Sequence, residues 1–318
     1  MARPTPLRLL AAVLFALALL AAACGGSSSG DKEVLTPVPT GQLLPVVVSS
    51  DLAVGQNRFL LGLINQSDNS PVLGAQLQFD FYQSSGDVNT QGPQVTARAL
   101  QVTKSYTHTH ADGTVETHQA GETGAYEAQV AFDRPGTWNV HATGTANGAS
   151  LDASASFTVL DKSQSPAVGQ PSPRSIQTVL KDVSDISQID TSFPPIPEEH
   201  DMTIADAVTS GKPTVIVFAT PAFCTSQICG PTKSVVDELY KKYQARANFI
   251  HVEPYDLPKA RAGQGLEPLP WIVSEWGLTS EPWVFLVDKQ GNIAGKFEGI
   301  VTADELYAAL TPLLAPAG

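Results

Sequence analysis

The chain has 318 residues, 42% of them hydrophobic and 16% charged, with 31 acidic residues against 19 basic ones and a formal charge of −12. So acidic a balance argues against a nucleic-acid partner and against electrostatic adhesion to anionic lipid, both of which need clustered positive charge. The length exceeds what one ordinary hydrophobic core fills and suits two domains.

The first residues form a processing signal. Arg3 and Arg8 make a short basic start, and Leu9 to Ala23 carries no charge. That apolar stretch is shorter than the roughly 20 residues a membrane-spanning helix needs, so it predicts a cleaved leader over residues 1–23. Leu20-Ala21-Ala22-Ala23-Cys24 resembles a bacterial lipobox, with Ala21 where Leu is usual. The resemblance implies lipidation at Cys24 and a flexible tether over 24–44, whose Gly and Ser residues let an anchored domain clear the headgroups. The expected location is outside the cytoplasm, on the outer face of a bacterial cell membrane (periplasm or cell surface). Loss of the leader leaves 17 basic against 31 acidic residues, a charge of −14. An exported compartment tolerates disulfides. Cys24 aside, the cysteines are Cys224 and Cys229.

Residues 45–160 predict an all-β domain. Alternating runs recur at 58–64, 75–82, 125–132, 138–143 and 154–160, with turn-forming clusters at 65–71, 84–87 and 133–136. Period-two alternation with that punctuation is the pattern of a β-sandwich. Gly124-x-Tyr126-x-Ala128-x-Val130-x-Phe132, then Pro135-Gly136-x-Trp138-x-Val140, resembles the paired late strands of small extracytoplasmic immunoglobulin-like domains. That likeness implies a fold and no particular function. Within the domain, residues 107–118 read as a polar hairpin about Asp112-Gly113. His108 and His110 share one strand face. A three-residue turn adds His118 to that face and makes the trio a candidate Cu(II) or Zn(II) site; a two-residue turn sends His118 to the other face. Both turns remain open, as does a merely solvated hairpin.

Residues 161–200 are rich in Ser, Pro and Asp and read as a linker, with a short helical piece around 176–183. From 201 to 318 the rhythm changes to strand–helix alternation. A helix is expected over 203–210, a strand over 214–219, and a helix from about Pro231 to Ala245 with Val235, Leu239 and Tyr243 on one face. A strand follows at 248–252, then a hairpin of 283–287 and 292–297, and a closing helix over 303–314. The order resembles the thioredoxin fold across nearly the whole segment. The expected architecture is thus an all-β immunoglobulin-like sandwich followed by an α/β thioredoxin-like domain.

Cys224 and Cys229 follow the predicted strand 214–219, where thioredoxin-fold proteins keep their redox cysteines. Four residues separate them where thioredoxins use two. In an unbroken helix such a step turns the second side chain about 140° from the first. A direct bond therefore needs the helix to start later, and Pro231 suits a first helical position. A thiolate in the loop ahead of it would face the positive end of the helix dipole, which lowers a thiol pKa. Closing so short a loop contributes only about 2 kcal/mol in the chain-entropy model, which favours a redox pair over a static brace.

Pro282, within Thr279 to Asp288, resembles the cis-proline segment that faces the cysteines in thioredoxins. The likeness implies a substrate groove lined by Pro282 and Trp283. Val217 stands where thioredoxins carry a buried acid, which leaves His251 as the candidate for proton handling. Two other families share part of the pattern. Thr220-Pro-x-x-Cys224-Thr225-x-x-x-Cys229 resembles the cysteine pair of bacterioferritin-comigratory-type peroxiredoxins, but Thr220 lies four residues ahead instead of three and Glu281-Pro282-Trp283 supplies no arginine. Cytochrome oxidase copper chaperones place two cysteines and a histidine on the same fold at another spacing. Cys229-Gly-Pro-Thr-Lys233 is similar to the thioredoxin Cys-Gly-Pro-Cys-Lys, which would make Cys229 the nucleophile; nearness to the strand end favours Cys224. The expected function is thiol–disulfide exchange on extracytoplasmic protein thiols and disulfides, with no cofactor required. The alternatives are a peroxiredoxin-type peroxidase and a non-enzymatic ligand- or metal-binding lipoprotein, holding Cu or Zn, whose disulfide is a brace.

Overall fold

The computed structural model describes residues 43–315 apart from 87, 103–105, 111–113, 119–121, 147, 225 and 227. The leader, Cys24, nearly all of the tether and the Asp112-Gly113 turn lie outside the described residues. Among the described residues no helix is long and apolar enough to cross a membrane.

The first domain is a β-sandwich of β1 (Leu43–Val47), β2 (Gly55–Asn65), β3 (Gln76–Ser85), β4 (Val88–Thr96), β5 (Arg98–Val102), β8 (Thr123–Phe132), β9 (Gly136–Ala146) and β10 (Ala149–Val159), with a separate hairpin of β6 (Tyr106–Thr109) and β7 (Val115–His118). One sheet runs β1-β2-β8-β5 and the other β10-β9-β3-β4. Alternation explains the core: Leu77, Phe79 and Phe81 of β3 point inward with Trp138, Val140 and Ala142 of β9. Phe59, Phe81, Phe132 and Phe157 meet there at tilted or edge-on angles. The Tyr126 hydroxyl accepts from the Ala75 N–H at 3.0 Å and donates to the Val72 carbonyl at 2.8 Å, tying β8 to the turn before β3. Strand β2 breaks the alternation, because Phe59 to Leu63 are all buried. Phe59, Leu61 and Leu63 face the sandwich core, while Leu60 joins Val48, Leu100 and Ile300 in a cluster on the other face. A strand covered on both sides reads as a continuous apolar run.

The second domain contains α1 (Ile204–Thr209), β11 (Thr214–Phe218), α2 (Cys229–Tyr243), β12 (Asn248–Val252), α3 (Leu257–Arg261), α4 (Pro270–Trp276), β13 (Trp283–Val287), β14 (Ile293–Glu298) and α5 (Ala303–Leu310). Its sheet runs β12-β11-β13-β14, with β11 parallel to β12 and antiparallel to β13. Every side chain of β11 is buried. Val215 and Val217 pack on the side of Val235 and Leu239 from α2, and Ile216 and Phe218 on the side of Ile204 and Trp276. Helix α2 begins at Cys229, earlier than the expected Pro231. Pro231 is tolerated because first-turn amides have no intrahelical partner to lose.

The segment 161–200, expected as a linker, is packed against the second domain. Gly169 N–H donates to the Ile293 carbonyl and Ile293 N–H to that of Gln170, both at 2.8 Å, extending the β14 edge. Trp276 Nε1–H donates to Ser175 Oγ at 2.9 Å. Asp190, Thr191 and His200 are buried. The expected helical piece is a single 3-10 turn, Leu180–Asp182.

The two domains meet through Arg58. Its guanidinium donates to the carbonyls of Glu298 at 2.9 Å and Ile300 at 2.7 Å, and pairs with Glu305 at 3.0 Å, the two side chains being only 10% and 7% exposed. Gly299 (φ +72°) lies between these carbonyls; a Cβ there would meet Val48 at 2.9 Å and Leu60 at 3.3 Å, with Ile228 of the cysteine loop at 3.8 Å. Gly299 therefore lies close to both the sandwich and the cysteine loop. Truncating one member of a buried pair costs about 3–5 kcal/mol. Arg58→Ala is expected to lower the urea-unfolding free energy by about 3 kcal/mol; a loss below about 1 kcal/mol contradicts this role.

Candidate active site

Strand β11 delivers the chain to Ala219 and Thr220, and the loop that follows ends where α2 starts. Cys224 is half-buried in that loop and Cys229 is buried as the first residue of α2; both are free thiols. Cys229 N–H, one of the unpaired first-turn amides of a helix, donates to Cys224 Sγ at 3.3 Å, and Ser226 Oγ lies 3.2 Å from the same sulfur. The hydrogen bond from the Cys229 side chain is the main cause that lowers the Cys224 thiol to about 7, with Ser226 and the Cys229 amide adding to it against the opposing effect of burial. Burial pushes Cys229 well above the ordinary thiol range, and the neighbouring Cys224 adds to that. The pair is therefore asymmetric, with Cys224 the accessible sulfur and the better thiolate. This favours Cys224 as nucleophile over the register that puts Cys229 first.

The Glu281–Pro282 bond is cis, and the Pro282 carbonyl accepts from Gly299 N–H at 2.8 Å. Glu281 is the residue the sequence reading undervalued. A carboxylate oxygen of Glu281 lies within 4.8 Å of both sulfurs. The Tyr255 hydroxyl donates to it, and burial raises its pKa. Trp283, expected in a groove wall, is buried instead. It stacks on Phe285 with centroids 5.7 Å apart and donates to Ser280 Oγ at 3.1 Å. Thr220 Oγ1 makes no hydrogen bond to Cys224.

Behind the loop lies a buried polar cluster. His251 is not placed at the sulfurs: its Nε2 meets the Ala219 carbonyl at 3.0 Å, and its Nδ1 lies 3.4 Å from Asp190 Oδ1. Burial lowers the His251 pKa, but the adjacent Asp190 carboxylate outweighs it and holds the ring above the ordinary histidine value. Thr191 accepts from the Ala222 N–H at 3.1 Å and donates its hydroxyl to Glu253 at 2.5 Å, joining the loop to that carboxyl. Burial lifts Glu253 to about 7. Glu253, one residue beyond β12, is thus a buried acid behind the loop, while Val217 itself carries none. The one signal for it was an acid directly after the expected strand 248–252. Asp190 and Thr191 gave none, lying in a Ser/Pro-rich stretch.

The histidine hairpin pairs His108 with Glu116 and Tyr106 with His118. His110 N–H donates to the Thr114 carbonyl at 2.7 Å, while the turn at 111–113 and the side chain of His118 lie outside the described residues. The donors brought within 4.8 Å of one another are His108, His110 and Glu116. The hairpin also reaches the second domain, through a bridge between His108 and Ser192. Asp190, His200 and His251 form a second such set, and the two thiols with Glu281 a third.

Residues 200–313 match the thioredoxin-like domain family. No curated protein matches the chain.

Alkylation of Cys224 is expected to show a pH midpoint near 7, measured by mass-spectrometric rates, with Cys229 reacting far more slowly. Cys229→Ala removes the main lowering cause, so the midpoint should rise toward about 8.5, the free-thiol value. A midpoint already near 8.5 in the unaltered chain contradicts the asymmetry.

Proposed function

We propose that the thioredoxin-like domain carries out thiol–disulfide exchange on extracytoplasmic proteins, held at the outer face of the membrane by lipid on Cys24. The observation that carries this reading is a depressed, half-exposed thiol in contact with a buried, elevated one, with a Glu281 carboxylate oxygen within 4.8 Å of both sulfurs. The Cys224 thiolate attacks one sulfur of a substrate disulfide, forming a mixed disulfide and releasing the other as a thiolate. The Cys229 thiol then passes its proton to Glu281, the carboxylate nearest both sulfurs, and attacks Cys224 Sγ. The Cys224–Cys229 disulfide forms, the second substrate thiolate leaves, and two electrons have passed to the substrate. Run in reverse, the same steps oxidise a dithiol. Glu281 suits the task because burial raises its pKa and Tyr255 orients it. The peroxidase alternative rests on cysteine spacing: the hydrogen bonds described at Cys224 come from Cys229 and Ser226, with no arginine among them.

Cys229→Ser removes the resolving nucleophile and should trap exported proteins as reductant-sensitive adducts in the membrane fraction. Adding Cys224→Ser should abolish them, and Cys24→Ala should move them to the soluble fraction. No adducts, together with turnover of hydrogen peroxide, would overturn the proposal in favour of the peroxidase.

A further inference from the structure

Three donors converge on the floor of the cysteine loop from separate parts of the chain. Asp190 and His200 come from the packed segment 161–200, and His251 from β12. One donor atom from each lies within 4.8 Å of the others, and all three residues are buried. Nε2 of His251 is committed to the Ala219 carbonyl, which places a proton on that nitrogen. Nδ1 is buried without a hydrogen bond and lies 3.4 Å from Oδ1 of Asp190. A lone pair facing a carboxylate needs positive charge between the two. A proton on Nδ1 serves only that pair, whereas a metal ion also engages Nε2 of His200, which is 3.0 Å from the other oxygen of Asp190.

The surroundings fit an ion. Ser192 orients Asp190 Oδ1 through its N–H at 2.7 Å and its hydroxyl at 2.5 Å. A histidine whose far nitrogen donates to a backbone carbonyl is held as metal-bound histidines are held. The buried cation nearby, Lys233, is already matched by Glu199 at 2.7 Å and by Asp237. His200 and His251 also line a cavity of about 380 Å³ with Glu253 and Tyr255, which gives a path inward and room for a further ligand.

We propose that Asp190, His200 and His251 bind one divalent ion of the zinc class, and that the ion fixes the base of the cysteine loop through the His251–Ala219 contact. Two imidazoles and a carboxylate are a donor set that zinc accepts, with a solvent molecule completing four-coordination. The site is distinct from the cysteines and does not depend on the exchange reaction.

The test uses the full chain carrying Cys224→Ser, Cys229→Ser and His110→Ala, so that neither the thiols nor the hairpin compete, with zinc as the probe. After chelator treatment, calorimetric titration should show one zinc bound per chain and a higher melting temperature in its presence. His200→Gln or His251→Gln should weaken binding by at least about tenfold. X-ray absorption of the zinc-loaded triple variant should report a nitrogen and oxygen shell with two imidazoles, a readout that stands even if a histidine variant fails to fold. No saturable binding, an affinity unchanged by His200→Gln, or a shell with fewer than two imidazoles would overturn the assignment.

Discussion

The chemistry of the second domain depends on how Cys229 meets the sulfur of Cys224: its side chain is the main cause that lowers the Cys224 thiol, and its backbone amide adds to it at 3.3 Å. That amide is available only because α2 begins at Cys229, where helical amides have no partner of their own. The same start buries the Cys229 side chain beneath the loop while leaving Cys224 half-exposed. A single helix boundary therefore divides two chemically equal thiols into one that ionises near neutrality and one that holds its proton. The wide cysteine spacing is the condition for this. Cys224 sits in the loop, so its sulfur can approach the helix end instead of being carried around the helix surface.

The loop is held from two directions. From behind, Thr191 grips the Ala222 amide and Glu253, while His251 grips the Ala219 carbonyl. From the side, Gly299 leaves room for Val48 and Leu60 of the sandwich and for Ile228 of the loop, and Arg58 ties down the carbonyls of Glu298 and Ile300. A Glu281 carboxylate oxygen lies within 4.8 Å of both sulfurs, and the Tyr255 hydroxyl fixes the carboxyl. Removing the sandwich would uncover Ile300, which packs on Leu60, so the second domain is best studied with the first attached.

Much of this was legible in the residues. The alternation in β3 and β9 specified inward-facing side chains, and Pro282 marked the cis-proline segment through its likeness to that of thioredoxins. Three features were hidden, each for a physical reason. Helix α2 starts ahead of Pro231 because a proline is tolerated anywhere in the first turn, so it marks a boundary only loosely. Asp190 and Thr191 occupy a stretch whose composition suggests exposure, and composition says nothing of the buried partners that Glu253, His200 and His251 provide. The short helices α3 and α4 lie in a Pro- and Gly-rich run with too few turns to show a period. The burial of both faces of β2 was hidden too, because 58–64 reads as an alternating run and its second face is covered by Val48, Leu100 and, from the other domain, Ile300.

The central claim is that Cys224 and Cys229 form an exchangeable couple, and the reduction potential of that couple in the full chain tests it most directly. It is measured by equilibration with glutathione or dithiothreitol and thiol counting by mass spectrometry. A depressed Cys224 pKa stabilises the reduced form, so the account predicts a value between about −120 and −270 mV, the span of exchange proteins. A potential below about −300 mV, as in structural disulfides, or failure to form the bridge at all would contradict it.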